Sequence, residues 1–264
     1  MPPLALVGNL SYDLVDGGAP QIGGAPIHCA RALRMLDARA TVIAHCAASD
    51  VDEFRRGFAE LGLGAHIVPV GATTTFGISY DGDRRTMEIT AVGEPWTVAD
   101  IRTIPRGAWV HVGALLEGDF PPPVVATLAR DRRLSLDGQG LTRRRALGPL
   151  QLEAHPDPAV LRHLSILKLA VEEAEALVGG IEPRALAALG VPEVLVTFGS
   201  DGSLVVDHGR ATEVRARHVD ADPTGSGDAF AAAYLVGRSR GHSPVAAARR
   251  ATAVVGDMLR ARLR

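Results

Sequence analysis

The segment ADPTGSGDAF, residues 221–230, places a carboxylate directly after a glycine-rich turn. The apolar run that follows predicts a helix, and the free N–H groups at a helix start attract anions. Glycines let the backbone approach an anion closely, so Gly225, Ser226 and Gly227 are predicted to form an anion hole. If that anion is a phosphoryl group in transfer, Asp228 can take the proton that an attacking hydroxyl loses. The spacing therefore favours phosphoryl transfer with Asp228 as the general base.

Other interpretations fit the loop less well. A Walker loop ends in Gly-Lys-Ser/Thr, whereas the single lysine of this chain, Lys168, lies in the unrelated run SILKLA. A dinucleotide fingerprint needs a third small residue where this chain has Phe230, and it usually opens a domain. The plainer alternative is that Asp228 only caps a helix, which contributes about 1 kcal/mol. The motif by itself leaves that alternative open.

Composition excludes several classes of protein. The 264 residues carry a formal net charge of −2, so nucleic acid is not an expected partner, and the arginine runs at 143–145 and in the C-terminal tail are interpreted as solvated faces. Two cysteines do not make a disulfide framework, which indicates a reducing, cytoplasmic location. The sequence has neither a signal-peptide pattern nor an apolar run of membrane-spanning length. We expect one main domain over residues 1–264.

Along the chain, short apolar runs alternate with amphipathic segments. The runs at 4–8, 41–46 and 193–199 predict buried strands, and 25–36 and 49–62 predict helices. Such alternation is typical of an α/β fold with a mostly parallel sheet covered on both faces. Residues 73–92 instead read as two polar-alternating strands around Asp81-Gly82, which predicts a hairpin, either a lid or a simple edge.

Five segments together resemble the PfkB/ribokinase family of sugar and nucleoside kinases. DPTGSGDAF is similar to the family's D-[TP]-x-G-[AS]-G-D signature, and GGAPIHCARALRML to its glycine pair and following helix. VGNLSYDLV, LKLAVEEAEALVG and EVLVTFGSDGSLVV resemble the opening strand, the N-x-x-E segment and the nucleotide-side turn. Beyond these five, LDGQGLTR resembles a segment found in some members. The resemblance implies a ribokinase-like three-layer α/β/α fold with a mostly parallel central sheet and a small β lid.

The resemblance also assigns the acceptor site. It implies that Asp228 is the base, that Gly225, Ser226 and Gly227 form the anion hole, and that Asp13, Gly24 and His28 bind substrate. His28 stands where the family has asparagine, and imidazole lacks the paired donor and acceptor of an amide, so a different substrate pattern is expected.

On the donor side, the resemblance implies an ATP site. The residues that it assigns there are Thr197, Gly199, Gly202, Asp222 and Thr224. Glu173 falls on the glutamate of N-x-x-E, which helps to organise Mg²⁺ in the family, while Ala170 replaces the asparagine. Some members also hold a monovalent cation such as K⁺ near the position of Asp222.

The expected function is therefore ATP-dependent phosphorylation of a hydroxyl on a small sugar or polyol, with an inositol-like acceptor favoured. A nucleoside kinase is the alternative, in which Phe76 or Tyr80 covers the base, and a non-catalytic nucleotide-binding relative is a second. Few residues separate Asp13 from Gly23, so the lid is expected to be small and dominated by 73–92. Arg84 and Arg85 at its tip are candidates to contact substrate or product phosphate, and the plainer alternative is that they contact only water. Such a lid leaves the site more open or calls for closure by a homodimer through the lid.

Overall fold

The computed structural model describes residues 2–81, 84–101 and 104–263, with the backbone alone at Asp81, Arg84 and Arg85. The predicted hairpin turn and the expected substrate contacts of Arg84 and Arg85 therefore lie outside what the structure describes. The hairpin strands themselves are present and antiparallel.

The strands form two sheets. In chain order they are β1 Leu4–Asn9, β2 Ser11–Val15, β3 Gln21–Gly23, β4 Thr41–Ala47, β5 Ala65–Val70, β6 Thr74–Asp81, β7 Arg84–Ala91, β8 Trp109–Gly113, β9 Arg133–Asp137, β10 Gly148–Pro149, β11 Ile166–Ala170, β12 Glu193–Thr197, β13 Gly202–Asp207 and β14 Arg210–Arg215. The helices are α1 Ala25–Met35, α2 Val51–Glu60, α3 Pro122–Ala129, α4 Gln139–Thr142, α5 Pro158–Leu161, α6 Val171–Val178, α7 Pro183–Ala187, α8 Ser226–Ser239 and α9 Pro244–Arg262.

The larger sheet is the frame of the molecule. Its strand order is β14-β13-β12-β11-β9-β8-β1-β4-β5, parallel from β12 to β5 and antiparallel at β13 and β14. Alternate residues of β1 face two separate cores. Leu4 and Leu6 pack with α1, α2, α8 and α9, whereas Ala5 and Val7 pack with α3, α5, α6 and α7. Burial on both faces gives three layers, because each helix must cover its apolar side against the sheet.

The smaller sheet is the lid. Its order is β10-β7-β6-β2-β3, so the predicted hairpin β6–β7 is joined by strands from three other parts of the chain. β2 follows β1 after a single residue, which carries Asp13 from the main sheet into the lid. A third cluster, including Phe76, Ile78 and Leu116, packs beneath this sheet.

Among the described residues, none of the helices combines the length and apolarity needed to cross a membrane.

Candidate active site

A cavity of about 780 Å³ opens between the lid and the carboxyl ends of the parallel strands. Most of the residues assigned from the sequence line it, although they come from distant segments. These residues are Asp13, Gly24, His28, Thr197, Gly199, Thr224, Gly225, Ser226, Gly227 and Asp228. Gly202 lines an adjoining smaller cavity instead, and neither Asp222 nor Glu173 lines either of the two.

Asp228 lies in the first turn of α8 and is buried. Its Oδ1 has no hydrogen-bond partner among the described residues, although a buried carboxylate oxygen is normally bonded. Burial raises the pKa of Asp228 from 3.8 to about 7, with the charge of Asp137 adding to the rise and that of Lys168 opposing it. A carboxyl group with this pKa is suited to accept a proton near neutral pH.

The glycine loop begins with a left-handed residue. Gly225 has φ 74°, and a Cβ there would lie 2.3 Å from Nδ1 of His28, so only glycine fits beside the imidazole ring. Ser226 donates its N–H to the carbonyl of Pro223 at 2.9 Å. The predicted anion hole therefore depends on the N–H groups of Gly225 and Gly227, and Ser226 is not a donor to it in this conformation.

Lys168 is the residue that the sequence analysis missed. It is buried on β11, lines the cavity and pairs with Asp137 of the adjacent β9, Nζ to Oδ2 3.2 Å. A Cβ on Gly227 would lie 2.9 Å from Nζ, so the ammonium group lies directly under the glycine loop. Burial lowers the pKa of Lys168, but the charges of Asp137, Glu173 and Asp228 outweigh it and raise that pKa overall. A lysine inside the apolar strand ILKLA was the available signal.

The residues predicted to bind the acceptor combine a carboxylate with a neutral imidazole. Asp13 lines the cavity and accepts a 3.4 Å hydrogen bond from the hydroxyl of Ser11. Burial, with smaller contributions from the charges of Arg31 and Arg262, lowers the pKa of His28 from 6.5 to about 3, and the charge of Asp222 opposes this shift. Arg31 Nη1 lies 3.1 Å from Nδ1 of His28, and since arginine can only donate, the neutral ring carries its proton on Nε2.

The arginine run 143–145 is not a uniformly solvated face, so that interpretation was wrong for two of its three residues. Arg143 lines the cavity. Arg145 pairs with the buried Asp119 at 2.5 Å, and only Arg144 makes a surface pair, with Glu153 at 3.2 Å. Each side chain of the run points differently because the chain leaves α4 here in extended conformation.

The sequence model described as pfkB family carbohydrate kinase matches residues 19–256, which spans all of these site elements except Asp13 and the end of α9. The chain belongs to the PfkB family of carbohydrate kinases. Family members are phosphotransferases that act on a sugar or polyol hydroxyl, and the ribokinase-like fold expected from the sequence is confirmed.

Individual relatives differ in donor and acceptor. This PfkB chain is 28% identical to ATP-dependent 6-phosphofructokinase isozyme 2 of Mycobacterium tuberculosis, over 92% of this chain and 76% of that one. It is similar to a pyrophosphate-dependent kinase of the ribokinase family, solved with a pyrophosphate analog and myo-inositol (TM-score 0.86, 27% identity, 97% and 95% coverage). A fructokinase double mutant from Vibrio cholerae O395, solved with fructose, ADP and a potassium ion, shares the fold (TM-score 0.72, 23% identity, 97% and 90% coverage).

In this PfkB kinase, residues predicted to bind the donor border a second, smaller cavity. Thr197, Gly199 and Gly202 border the smaller cavity, of about 120 Å³, which reaches from Ser226 and Gly227 to the inner face of α9. Beyond the glycine loop its lining is largely apolar, with Ala216, Val219, Phe230, Val255 and Leu259. We call this cavity the donor slot. Gly202 has φ 118°, and a Cβ there would lie 2.0 Å from the carbonyl oxygen of Val214. Only glycine therefore allows β14 to lie this close to the start of β13.

Glu173 is buried and does not line the cavity. Its Oε2 accepts the N–H of Ala170 at 2.8 Å, which caps α6, and burial raises its pKa. Glu172 of the same turn does line the cavity. Among the described residues, no group of three or more ligating side chains could hold a metal ion by itself. The site therefore fits Mg²⁺ only as an ion that keeps most of its waters and takes one or two carboxylates.

Proposed function

We propose that this protein is an ATP-dependent kinase that phosphorylates a hydroxyl group of a small sugar or polyol, with an inositol-like acceptor. One observation carries the proposal: Asp228 lines the cavity beside the glycine loop, and its buried Oδ1 has no hydrogen-bond partner among the described residues. A carboxylate that only capped a helix would instead be bonded to N–H groups of that helix. An unpartnered base beside an anion hole matches the needs of phosphoryl transfer.

In the proposed mechanism the acceptor oxygen attacks the terminal phosphorus, and the bond from that phosphorus to the leaving oxygen of ADP breaks. Asp228 takes the proton of the hydroxyl. The N–H groups of Gly225 and Gly227 and the positive end of α8 stabilise the charge on the phosphoryl oxygens, and Lys168 adds a full positive charge under the loop. Mg²⁺, with Glu172 and Glu173 as the available carboxylates, would neutralise the donor phosphates when bound.

The donor slot favours ATP over pyrophosphate. An apolar recess next to the phosphate-binding loop suits a purine base, whereas pyrophosphate has no group to fill it. Pyrophosphate remains the second candidate donor, because a 27% identical neighbour is described as pyrophosphate-dependent.

The polar acceptor side favours a polyol. Asp13 can accept and the Nε2–H of His28 can donate, which together suit neighbouring hydroxyl groups. That same neighbour was solved with myo-inositol. For the nucleoside alternative, Phe76 lines the cavity and could cover a base, whereas Tyr80 is exposed and does not line it.

The test is product formation over a panel of inositols, sugars, sugar phosphates and nucleosides, with Mg-ATP and with pyrophosphate. We expect turnover of one polyol or sugar with ATP, and a loss of about 10²- to 10⁴-fold in Asp228→Asn with ATP binding kept. Turnover only of nucleosides would establish the alternative acceptor. Nucleotide binding without turnover of any compound would support the non-catalytic reading.

A variant of Gly256 tests the donor. Gly256 lines the donor slot, and the atoms nearest to a Cβ there belong to the side chain of Arg260 at 3.5 Å, so the Cβ of Gly256→Leu meets no backbone atom and the rest of the side chain would occupy space at the slot. We expect it to raise KM for ATP about 10-fold or more and to leave pyrophosphate kinetics unchanged. Ala253→Leu, on the exposed side of the same helix, is the control. An unchanged KM for ATP in Gly256→Leu would contradict the assignment of the slot.

A further inference from the structure

The phosphate-binding loop is held from outside by an arginine of the last helix. Arg262, at the end of α9, donates from Nη1 to the carbonyl oxygen of Asp222 at 2.5 Å and from Nη2 to that of Thr224 at 2.9 Å. The side chain of Asp222 in turn accepts the N–H and the hydroxyl of Thr224 at 3.0 and 2.7 Å. The next residue is Gly225, the left-handed start of α8. The guanidinium group therefore fixes the carbonyls directly before the anion hole.

A monovalent cation does not fit this loop as it stands. The family resemblance implies such an ion near Asp222 in some members. K⁺ binds where several carbonyl oxygens converge and replace its hydration shell. Here two main-chain oxygens of the loop already accept hydrogen bonds from a positively charged group, the guanidinium of Arg262.

The electrostatic surroundings also disfavour a second cation. The charge of Arg262 is close enough to lower the pKa of both His28 and Arg31, after the larger effect of burial on each. The charge of Asp222 opposes both shifts. A K⁺ ion at the loop would face two guanidinium groups for one carboxylate, and like charges at short range repel.

We propose that Arg262 is the built-in cation of the phosphate-binding loop, so that this kinase needs no K⁺. By bridging the carbonyls of Asp222 and Thr224, the guanidinium positions Gly225 and with it the anion hole. Arg262 is a positioning residue, because it acts through the loop. The kinetic part of this inference rests on the proposed function, whereas the binding of K⁺ to a variant does not.

The experiment compares wild type, Arg262→Ala, Arg262→Lys and the control Arg260→Ala in tetramethylammonium chloride and in KCl at equal ionic strength. Arg260 lies on the same helix end but pairs with Asp257 and not with the loop. In the kinetic arm we expect wild type and Arg260→Ala to be insensitive to K⁺. Without K⁺, kcat of Arg262→Ala should fall about 10- to 100-fold, which is the loss expected when catalytic groups are slightly displaced. With K⁺, the variant should regain most of this activity. Arg262→Lys keeps a cation and should respond less.

The second arm is thermal unfolding without substrates, which needs no enzymatic activity. K⁺ should raise the Tm of Arg262→Ala relative to tetramethylammonium, because a ligand that binds only the folded state stabilises it, and should leave wild type unchanged. Activation or thermal stabilisation of wild type by K⁺ would overturn the proposal, and so would an Arg262→Ala variant that K⁺ neither stabilises nor reactivates. A protein without turnover on any acceptor, in which the thermal arm still behaves as expected, would refute the proposed function alone.

Discussion

At the scale of single residues, the site contains ionisable side chains that are buried away from water. Asp137, Lys168, Glu173 and Asp228 are all buried. Desolvation disfavours each charge alone, but the one ammonium group offsets part of the repulsion among three carboxyl groups. A change of charge at any of the other three residues is therefore expected to shift the pKa of Asp228.

The raised pKa of Asp228 makes both activity and stability depend on pH. We expect kcat/KM to rise with pH through a midpoint near 7, because the base must lose its proton before it can accept another. The native state binds that proton more tightly than the unfolded state. The stability it contributes is complete below about 3.8 and is lost as pH rises through about 7.

Asp228→Asn cannot ionise, so its Tm should exceed that of wild type at pH 8, with the difference shrinking towards pH 4. Thermal melts across this range measure it. A constant difference at all pH values would contradict the perturbed carboxyl group.

Lys168 is predicted to set the midpoint of that pH profile. Its charge lowers the pKa of Asp228, so Lys168→Met should move the acid limb of kcat/KM to a pH above that of wild type and reduce kcat. Lys168→Arg keeps the charge and should leave the limb near its wild-type position. Because removal of one partner leaves Asp137 unpaired, at a cost of about 3–5 kcal/mol, the pair variant Asp137→Asn/Lys168→Met controls for stability. An unmoved limb in Lys168→Met would rule out this role.

At the scale of elements, the start of α8 and the ring of His28 on α1 are fitted to each other. Gly225→Ala combines a left-handed φ with a clash against the ring, and we expect a loss of about 1–3 kcal/mol in the free energy of unfolding. Gly241→Ala has φ 86° and open space around the added Cβ, so it should show the backbone strain alone.

Adding His28→Ala to Gly225→Ala should recover the part due to the clash, measured by urea unfolding. Equal losses in the free energy of unfolding for Gly225→Ala and Gly241→Ala would mean that the ring of His28 moves aside without a measurable cost.

At the scale of the whole molecule, Arg145 ties the lid to the main sheet. Its guanidinium binds Asp119, which also accepts the N–H groups of Leu115 and Leu116 at 2.9 Å, and it donates to the carbonyl of Gly93 just after β7. Burial raises the pKa of Asp119, so the carboxylate depends on these partners to stay charged. The lid is therefore anchored at a buried ion pair beside the cavity.

Arg145→Ala should loosen the lid and raise KM for the acceptor about 10-fold, while KM for ATP stays within error because the donor slot is remote from the lid. It should also cost about 3–5 kcal/mol of stability, since a buried carboxylate loses its partner. Arg144→Ala, which removes only a surface pair, should change neither quantity by much. Equal rises in both KM values would point to general destabilisation instead.

The sequence by itself determined the α/β class, the family and the position of Asp228. These follow from local patterns: apolar periodicity defines strands and helices, and a glycine turn before a helix start fixes where an anion and a base can meet. The hairpin β6–β7 was also local, because its two strands are neighbours in the chain.

The tertiary structure alone decided the charged partners and the lid. Lys168 meets Asp137 because β11 and β9 pair in parallel register, and Arg262 reaches the loop 40 residues before it because α9 packs against α8. The lid also contains β2, β3 and β10, strands of five, three and two residues that the local sequence pattern did not predict. Such contacts depend on strand order and helix packing, which no local pattern encodes. The sequence could therefore name Asp228 as the proposed base, but not the charged side chains that surround it and its loop.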